Sequence, residues 1–292
     1  MMAASVEYHE PQSLEETWDL IKRYGEDGRI MAGGTAVVLL LRQRLLSPLG
    51  LINIQRIAGL DSIEQTADGV AIGALVTHAE AQRSPMLADH YAALAQTFAK
   101  VATPRIRNAG TVGGNLAHGD PHLDPPVTLL ALDARVTVQC AKGSGDIALS
   151  DFFRDYYETA LRTGDILTRI YLPARPPRSG LSFIKFLPRS QDDYAAVDVA
   201  AWIQIAEDGT VADARLAFGS VGPIPFRAME AEKLVRGQRL TDELLAEAGE
   251  LAAAAADPED DVRGSPAYKR ELIKVLLKRA VAQAIADVQG DA

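Results

Sequence analysis

Two glycine pairs with hydroxyl or amide side chains beside them stand out for what they could hold. The first lies in Ile30-Met31-Ala32-Gly33-Gly34-Thr35-Ala36-Val37, the second in Thr111-Val112-Gly113-Gly114-Asn115. Adjacent glycines let a chain turn tightly and let a ligand come close to the main chain. Consecutive backbone N–H groups in such a turn can cradle an anion. The first pair follows a short apolar stretch and precedes a longer one. That order reads as strand, turn and helix N-terminus, where open N–H groups and the helix dipole favour negative charge. Taken together, the pairs point to a phosphate-containing ligand shared between them. Neither is the GxGxxG dinucleotide fingerprint, and neither is a P-loop, because no Gly-Lys-Ser or Gly-Lys-Thr follows.

Other candidates surround the second pair. Arg105 and Arg107 lie upstream, and Asp120 and Asp124 lie downstream. The two acids could accept hydrogen bonds from a ribose or ribityl chain, or cap a loop. His118 and His122 share the segment, but their spacing is no standard zinc pattern. Lys185 is a lone basic residue in Phe183-Ile184-Lys185-Phe186. Alternation along a strand would expose it, whereas a lysine directed at a flavin could stabilise negative charge. Tyr194 ends the polar run from Arg189 and could pack on an aromatic ring or anchor its loop. Cys140, the single cysteine, cannot hold a cluster or form an internal disulfide, and reads as an inert thiol at a strand end.

The elements that must carry these residues fall into three regions. Residues 1–60 read as a small α/β unit: a strand near Val6–His9, a helix opened by Ser13 with Glu16 at capping-box spacing, the glycine turn, a helix and the strand LINI. Residues 61–175 form a second unit. It has a hairpin at Asp68-Gly69, a helix capped by Thr77 with Glu80, and a helix over 86–99. A helix or buried strand over 126–133 follows. Beyond it come the strand ARVTVQC, a loop at 143–146, a short helix at Asp151–Tyr157 and a strand at Ile166–Tyr171. The proline-rich stretch PARPPRSG reads as a linker. Residues 176–292 hold three apolar strand candidates with hairpin turns and then helices over 227–235, 241–256 and 266–287. The class is α+β.

With 292 residues the chain can bury a real core. Hydrophobic residues make up 48%, the mean hydropathy is -0.01, and no apolar run has membrane-spanning length. The N-terminal MMAASVEYHEP lacks a basic head and an apolar core, so a signal peptide is not expected. A formal charge of -9 argues against a broad nucleic-acid surface and fits a cytoplasmic protein.

Several phrases occur together in one order: Ala32-Gly33-Gly34-Thr35, LINI, Ile106-Arg107-Asn108, Gly110 to Asn115, Leu116 to Pro121, and Leu129–Asp133. They continue with Phe183-Ile184-Lys185, Asp192-Asp193-Tyr194 and Phe218-Gly219-Ser220-Val221-Gly222-Pro223. From end to end the chain resembles the FAD-binding medium subunit of molybdenum hydroxylases, the group of carbon monoxide dehydrogenase, nicotine dehydrogenase, 4-hydroxybenzoyl-CoA reductase and xanthine dehydrogenase. The resemblance implies a PCMH-type FAD-binding fold of two α/β subdomains, followed by an antiparallel sheet packed with helices. It implies that Ala32, Gly33, Gly34, Thr35 and Ala36, with Thr111, Val112, Gly113, Gly114 and Asn115, wrap the diphosphate of non-covalent FAD. It places Asp120 and Asp124 at the cofactor, Asp124 on its polar chain. Val101 and Leu167 would border the flavin or adenine, Lys185 would lie beside the cofactor, and Tyr194 would screen the isoalloxazine. No residue is implied as catalytic, because the flavin is the redox group.

The same resemblance implies two partners, a small subunit with [2Fe–2S] clusters and a large molybdopterin subunit, in a heterotrimer or its dimer. Electrons would pass from the clusters to FAD and on to a quinone, NAD, O2 or another acceptor. Two departures are visible: Thr35 stands where several bacterial members carry histidine, and Pro125-Pro126 follows Asp124 where Leu-Pro is usual. Cys140 alone rules out the extra cluster of the 4-hydroxybenzoyl-CoA reductase type. Rival readings are a stand-alone FAD oxidase, which needs its own base near the ring, and a scaffold that has lost the cofactor.

Overall fold

The computed structural model describes residues 6–190 and 193–290. Gln191 and Asp192, the latter part of the phrase ending in Tyr194, lie outside the described residues. The first region runs β1 (Glu7–His9), α1 (Leu14–Tyr24), β2 (Gly28–Met31), α2 (Thr35–Arg42) and β3 (Gly50–Asn53). Its strands form a parallel sheet in the order β1-β3-β2. The Oγ of Ser13 accepts the Glu16 N–H at 3.2 Å, as its cap position requires. The Glu16 carboxylate turns to the Gln12 N–H instead, so the reciprocal half of the capping box is missing.

The second region runs β4 (Ile63–Thr66), β5 (Gly69–Gly73), α3 (His78–Arg83), α4 (Pro85–His90), α5 (Ala92–Ala99), α6 (Pro104–Arg107), α7 (Val112–His118) and α8 (Asp124–Ala131). It continues with β6 (Arg135–Cys140), β7 (Gly143–Ala148), β8 (Phe153–Asp155), β9 (Glu158–Thr159) and β10 (Ile166–Pro173). Five of its strands form an antiparallel sheet, β4-β5-β10-β6-β7. Three expectations change here. The helix over 86–99 is two helices, broken at the buried Tyr91, whose hydroxyl donates to the Pro173 carbonyl at 2.8 Å. Residues 143–146 belong to strand β7, an exposed edge held to β6 by its backbone, with no apolar alternation to announce it. Asp151–Tyr157 enters a small hairpin, β8 with β9, rather than a helix.

The third region holds β11 (Ser179–Phe186), β12 (Val197–Ile205), β13 (Val211–Gly219) and β14 (Phe226–Arg227), an antiparallel sheet in that order. Helices α9 (Met229–Val235), α10 (Asp242–Ala255) and α11 (Pro266–Gln289) follow. Strand β12 is covered on both faces. Val197, Val199, Ala201 and Ile203 join the core beneath α11, while Ala200 and Trp202 join the core of the second region. This double burial explains the nearly continuous apolar run from Ala195 to Ile203. Helix α8, buried along its whole length, packs on β12 and β13 and joins the second region to the third. The α+β class and the closing antiparallel sheet with its helices agree with expectation.

Candidate cofactor site

Strand β2 stops at Met31, and α2 begins three residues after Ala32. Gly34 takes φ 71 at the N-cap, a left-handed conformation natural to glycine, and no side chain caps the helix. Among the described residues, nothing in the chain accepts a hydrogen bond from the N–H groups of Gly33, Gly34, Thr35, Ala36 or Val37. A helix start of this kind offers several donors and a positive dipole end to an anion.

The second glycine pair is built differently, which corrects the expectation of a bare turn. Gly113 and Gly114 lie inside the first turn of α7, and Thr111 caps that helix. The N–H groups there are already used. Val112 donates to Val76 O at 2.8 Å, Gly113 to Ala74 O at 2.9 Å, Gly114 to Thr111 Oγ1 at 3.1 Å and Asn115 to Thr111 O at 2.9 Å. Gly113 is glycine because a Cβ would press into Ala74. The segment therefore offers no backbone nest of its own. It offers instead the Asn115 side chain, whose Oδ1 is buried without a partner.

The two segments do meet. A Cβ on Gly33 would collide with the Ala109 carbonyl, so these backbones are in close contact. A Cβ on Gly110 would lie 3.5 Å from Thr35 Oγ1, and one on Gly114 would lie 3.7 Å from the Ala32 Cβ. Gly114 itself is exposed, so its open side faces the gap beside Ala32.

Val101 and Leu167 are both buried. Val101 follows α5, and its carbonyl accepts from Arg107 Nη1 at 2.9 Å. Leu167 lies on β10 opposite Val138, one residue before Thr168, whose carbonyl accepts the Ala74 N–H at 3.0 Å. Leu167 is thus tied through Ala74 to Gly113.

Asp124 opens α8, and its Oδ2 pairs with Lys185 Nζ at 2.9 Å. Their side chains are 5% and 3% exposed, so the lysine does not face solvent as strand alternation would allow. Lys185 Nζ also donates to the Lys100 carbonyl at 3.0 Å, and Asp124 Oδ1 has no partner. Burial pushes the Asp124 carboxyl up to about 6, against the pull of Lys185 and Lys100. Asp120 behaves in the opposite way. Burial would raise it, but hydrogen bonds from His122 and from the Tyr194 hydroxyl at 3.0 Å hold it below the usual carboxylate range. Tyr194 is 42% exposed, its ring lies 5.5 Å from that of His122, and its carbonyl accepts from Arg263 Nε at 3.1 Å. Asp120 and Tyr194 thus hold each other.

Two residues escaped sequence reasoning. His78, the first residue of α3, is buried beside Gly110, its N–H donating to the Gly110 carbonyl at 3.0 Å. Its Nδ1 has no partner, and burial, with Arg107 nearby, lowers its pKa to about 4. Asp198 on β12 is fully buried opposite Lys185. Its signal was available: it is the single ionisable residue in the run from Ala195 to Ile203.

Comparison with known proteins decides the family. Residues 4–175 match the model described as the FAD binding domain in molybdopterin dehydrogenase, and residues 182–284 match the CO dehydrogenase flavoprotein C-terminal domain. The chain belongs to the FAD-binding subunits of the molybdopterin dehydrogenases. Within this family it is 35% identical over 285 residues to the nicotine 6-hydroxylase medium subunit of Paenarthrobacter nicotinovorans, covering 97% of this chain and 99% of that one. It is 33% identical to the carbon monoxide dehydrogenase medium chain of Afipia carboxidovorans, covering 97% and 98%. Among solved structures, the carbon monoxide dehydrogenase of Hydrogenophaga pseudoflava that lacks the Mo-pyranopterin moiety superposes with a TM-score of 0.94, at 32% identity over 98% of this chain and 99% of that one. Quinoline 2-oxidoreductase from Pseudomonas putida 86 gives 0.90, at 30% identity over 100% and 99%. This FAD subunit is part of a multisubunit oxidoreductase family, and no helix among the described residues is long and apolar enough to cross a membrane.

Proposed function

We propose that the chain is the electron-transfer subunit of a molybdenum hydroxylase assembled with a small [2Fe–2S] subunit and a large molybdopterin subunit. The observation that carries this reading is the meeting of the open N-terminus of α2 with the capped start of α7. The residues present fit FAD. Open N–H donors at Gly33 to Val37 suit its diphosphate, and the partnerless Asn115 Oδ1 and Asp124 Oδ1 suit donors on its polar chain. Bound FAD would supply the redox chemistry, taking electrons from the iron–sulfur subunit and releasing them to an external acceptor.

The chain's own residues would then bind and orient. Ala32 to Ala36 hold the diphosphate, with α7 closing the other side through Gly114 and Asn115. Val101 and Leu167 present apolar surface to a ring. Lys185 contributes positive charge through its pair with Asp124, and Tyr194 covers a ring face while anchored to Asp120. Helix α2 supports the subunit reading. Its sequence is apolar, yet it buries no residue fully, and Val38 and Leu39 are exposed.

The purified protein should show the visible bands of an oxidised flavin, released on denaturation. It should also copurify with iron–sulfur and molybdenum subunits. Colourless protein that takes up no added FAD would sink the proposal. Flavin without partner chains would favour a stand-alone oxidase. Gly114→Val should weaken FAD retention by placing a branched side chain against Thr111 Oγ1 and the gap beside Ala32; unchanged affinity would count against this loop.

A further inference from the structure

Asp198 is an acid enclosed within the third region's sheet, on strand β12. Along β12 it shares a face with Ala200 and Trp202, which turn toward the second region, and α11 covers the opposite face. Its exposure is 0%. It sits directly across from Lys185 on β11 and from Gly219 on β13. Its ladder partner Lys185 is bonded to Asp124 at 2.9 Å, and α8, which Asp124 opens, packs on β12 and β13, so that a Cβ on Gly219 would meet both Val127 of α8 and Asp198; Lys100 at the end of α5 adds positive charge to the same surroundings. The Ser220 hydroxyl donates to its Oδ2 at 3.2 Å, and its Oδ1 has no partner. No cation is within ion-pair distance of it among the described residues, since the Lys185 ammonium is taken by Asp124 and the Lys100 carbonyl.

A fully buried carboxylate with one long hydroxyl contact and no cation would be an uncompensated charge, which a low-dielectric interior strongly disfavours. The neutral acid avoids that cost, and burial together with the negative charge of Asp124 drives its pKa upward. A neutral acid must, however, place its O–H on an acceptor. Asp124 Oδ1 is a buried carboxylate oxygen that lacks a donor. The two vacancies are complementary: one group has a proton to give, the other a lone pair to fill.

We propose that Asp198 is a positioning residue of the cofactor site, its carboxylic acid donating to Asp124 Oδ1 directly or through one buried water, so that the two acids hold one proton between them. The pair then carries a single negative charge against Lys185. Asp124 is fixed from two sides, by Lys185 on Oδ2 and by Asp198 on Oδ1, and each oxygen keeps a second lone pair for a cofactor hydroxyl. The role assigned to Asp124 at the cofactor rests on the function proposed above; the shared proton does not.

Infrared spectra of the full chain at neutral pH test the proton, with Asp198→Asn as the comparison. A carboxylic-acid C=O band should be present in the wild type and absent in Asp198→Asn. It should move when Asp124→Asn removes the carboxylate acceptor. Absence of the band, or a band indifferent to Asp124→Asn, overturns the inference. FAD titration of deflavinated protein tests the positioning. Asp198→Asn, which keeps a donor, should bind within about threefold of wild type, and Asp198→Val should bind at least about tenfold more weakly. Native affinity in Asp198→Val overturns the positioning role. A wild-type chain that binds no FAD would refute the functional reading, while the infrared result would still decide the shared proton.

Discussion

Lys185 and Asp124 show how burial reverses the reading of a charged residue. On an exposed strand the lysine would matter little, and a surface ion pair contributes about 0–1 kcal/mol. Here both side chains are almost fully enclosed, so removing one leaves the other uncompensated. Lys185→Met should therefore destabilise the chain by about 3–5 kcal/mol, and Asp124→Asn in the same chain should recover part of that loss. Urea unfolding of both single variants and the double variant measures this, and simple additivity would contradict the coupling. His78 carries a pH dependence of definite sign. Its folded pKa is lowered to about 4, so the unfolded chain binds the proton first as pH falls below about 6.5. Stability owed to neutral His78 is complete above that pH and is lost as pH falls toward 4, in total on the order of 3 kcal/mol. His78→Gln should flatten that portion of the stability profile. A variant with the same acid slope as wild type would show that another group is responsible.

At the level of elements, the two glycine segments do different work although they look alike. Helix α2 starts uncapped, with its donors open, and α7 starts fully capped, with its donors spent. Thr111→Ala removes the cap on the Gly114 N–H and should cost about 1 kcal/mol, with a loss of FAD affinity because the start of α7 beside Ala32 loosens. Gly33→Ala acts on the contact between the segments: its methyl group meets the Ala109 carbonyl, and one backbone must retreat. That variant should fall in both stability and FAD affinity by more than Thr111→Ala does. Thermal melting and FAD titration would rank the two, and the reverse order would place the close contact elsewhere.

For the whole molecule, the proposed site draws on all three regions: α2 from the first, α7 and α8 from the second, and Lys185 from β11 of the third. A ligand that binds only this assembled form stabilises it against unfolding by mass action. FAD at about a hundred times its dissociation constant should add about 2.7 kcal/mol to the deflavinated chain. The gain should be seen in the third region as well as the first, because Asp124 and Lys185 join α8 to β11. Hydrogen exchange of β11 and β12 with and without FAD reads this directly, and protection confined to residues 28–42 would mean that the site is local to the first unit.

What the chain announces by itself is the local material: the two glycine pairs, the caps at Ser13 and Thr77, the apolar strands of the closing sheet, and a family pattern spread along its length. These are legible because turns, caps and periodicity depend on neighbours in sequence. Tertiary structure alone decided the rest. The Val112 and Gly113 N–H groups are spent because Val76 and Ala74, distant in sequence, supply carbonyl acceptors. Strand β7 exists because β6 lends it a ladder, and Lys185 is buried because α8 brings Asp124 against it. Asp198 is visible in the sequence as an acid in an apolar run, but which atoms it faces depends on two strand registers and one helix, none of them encoded in its neighbours. Long-range packing sets the dielectric and the partners of a charged group, and these determine its chemistry.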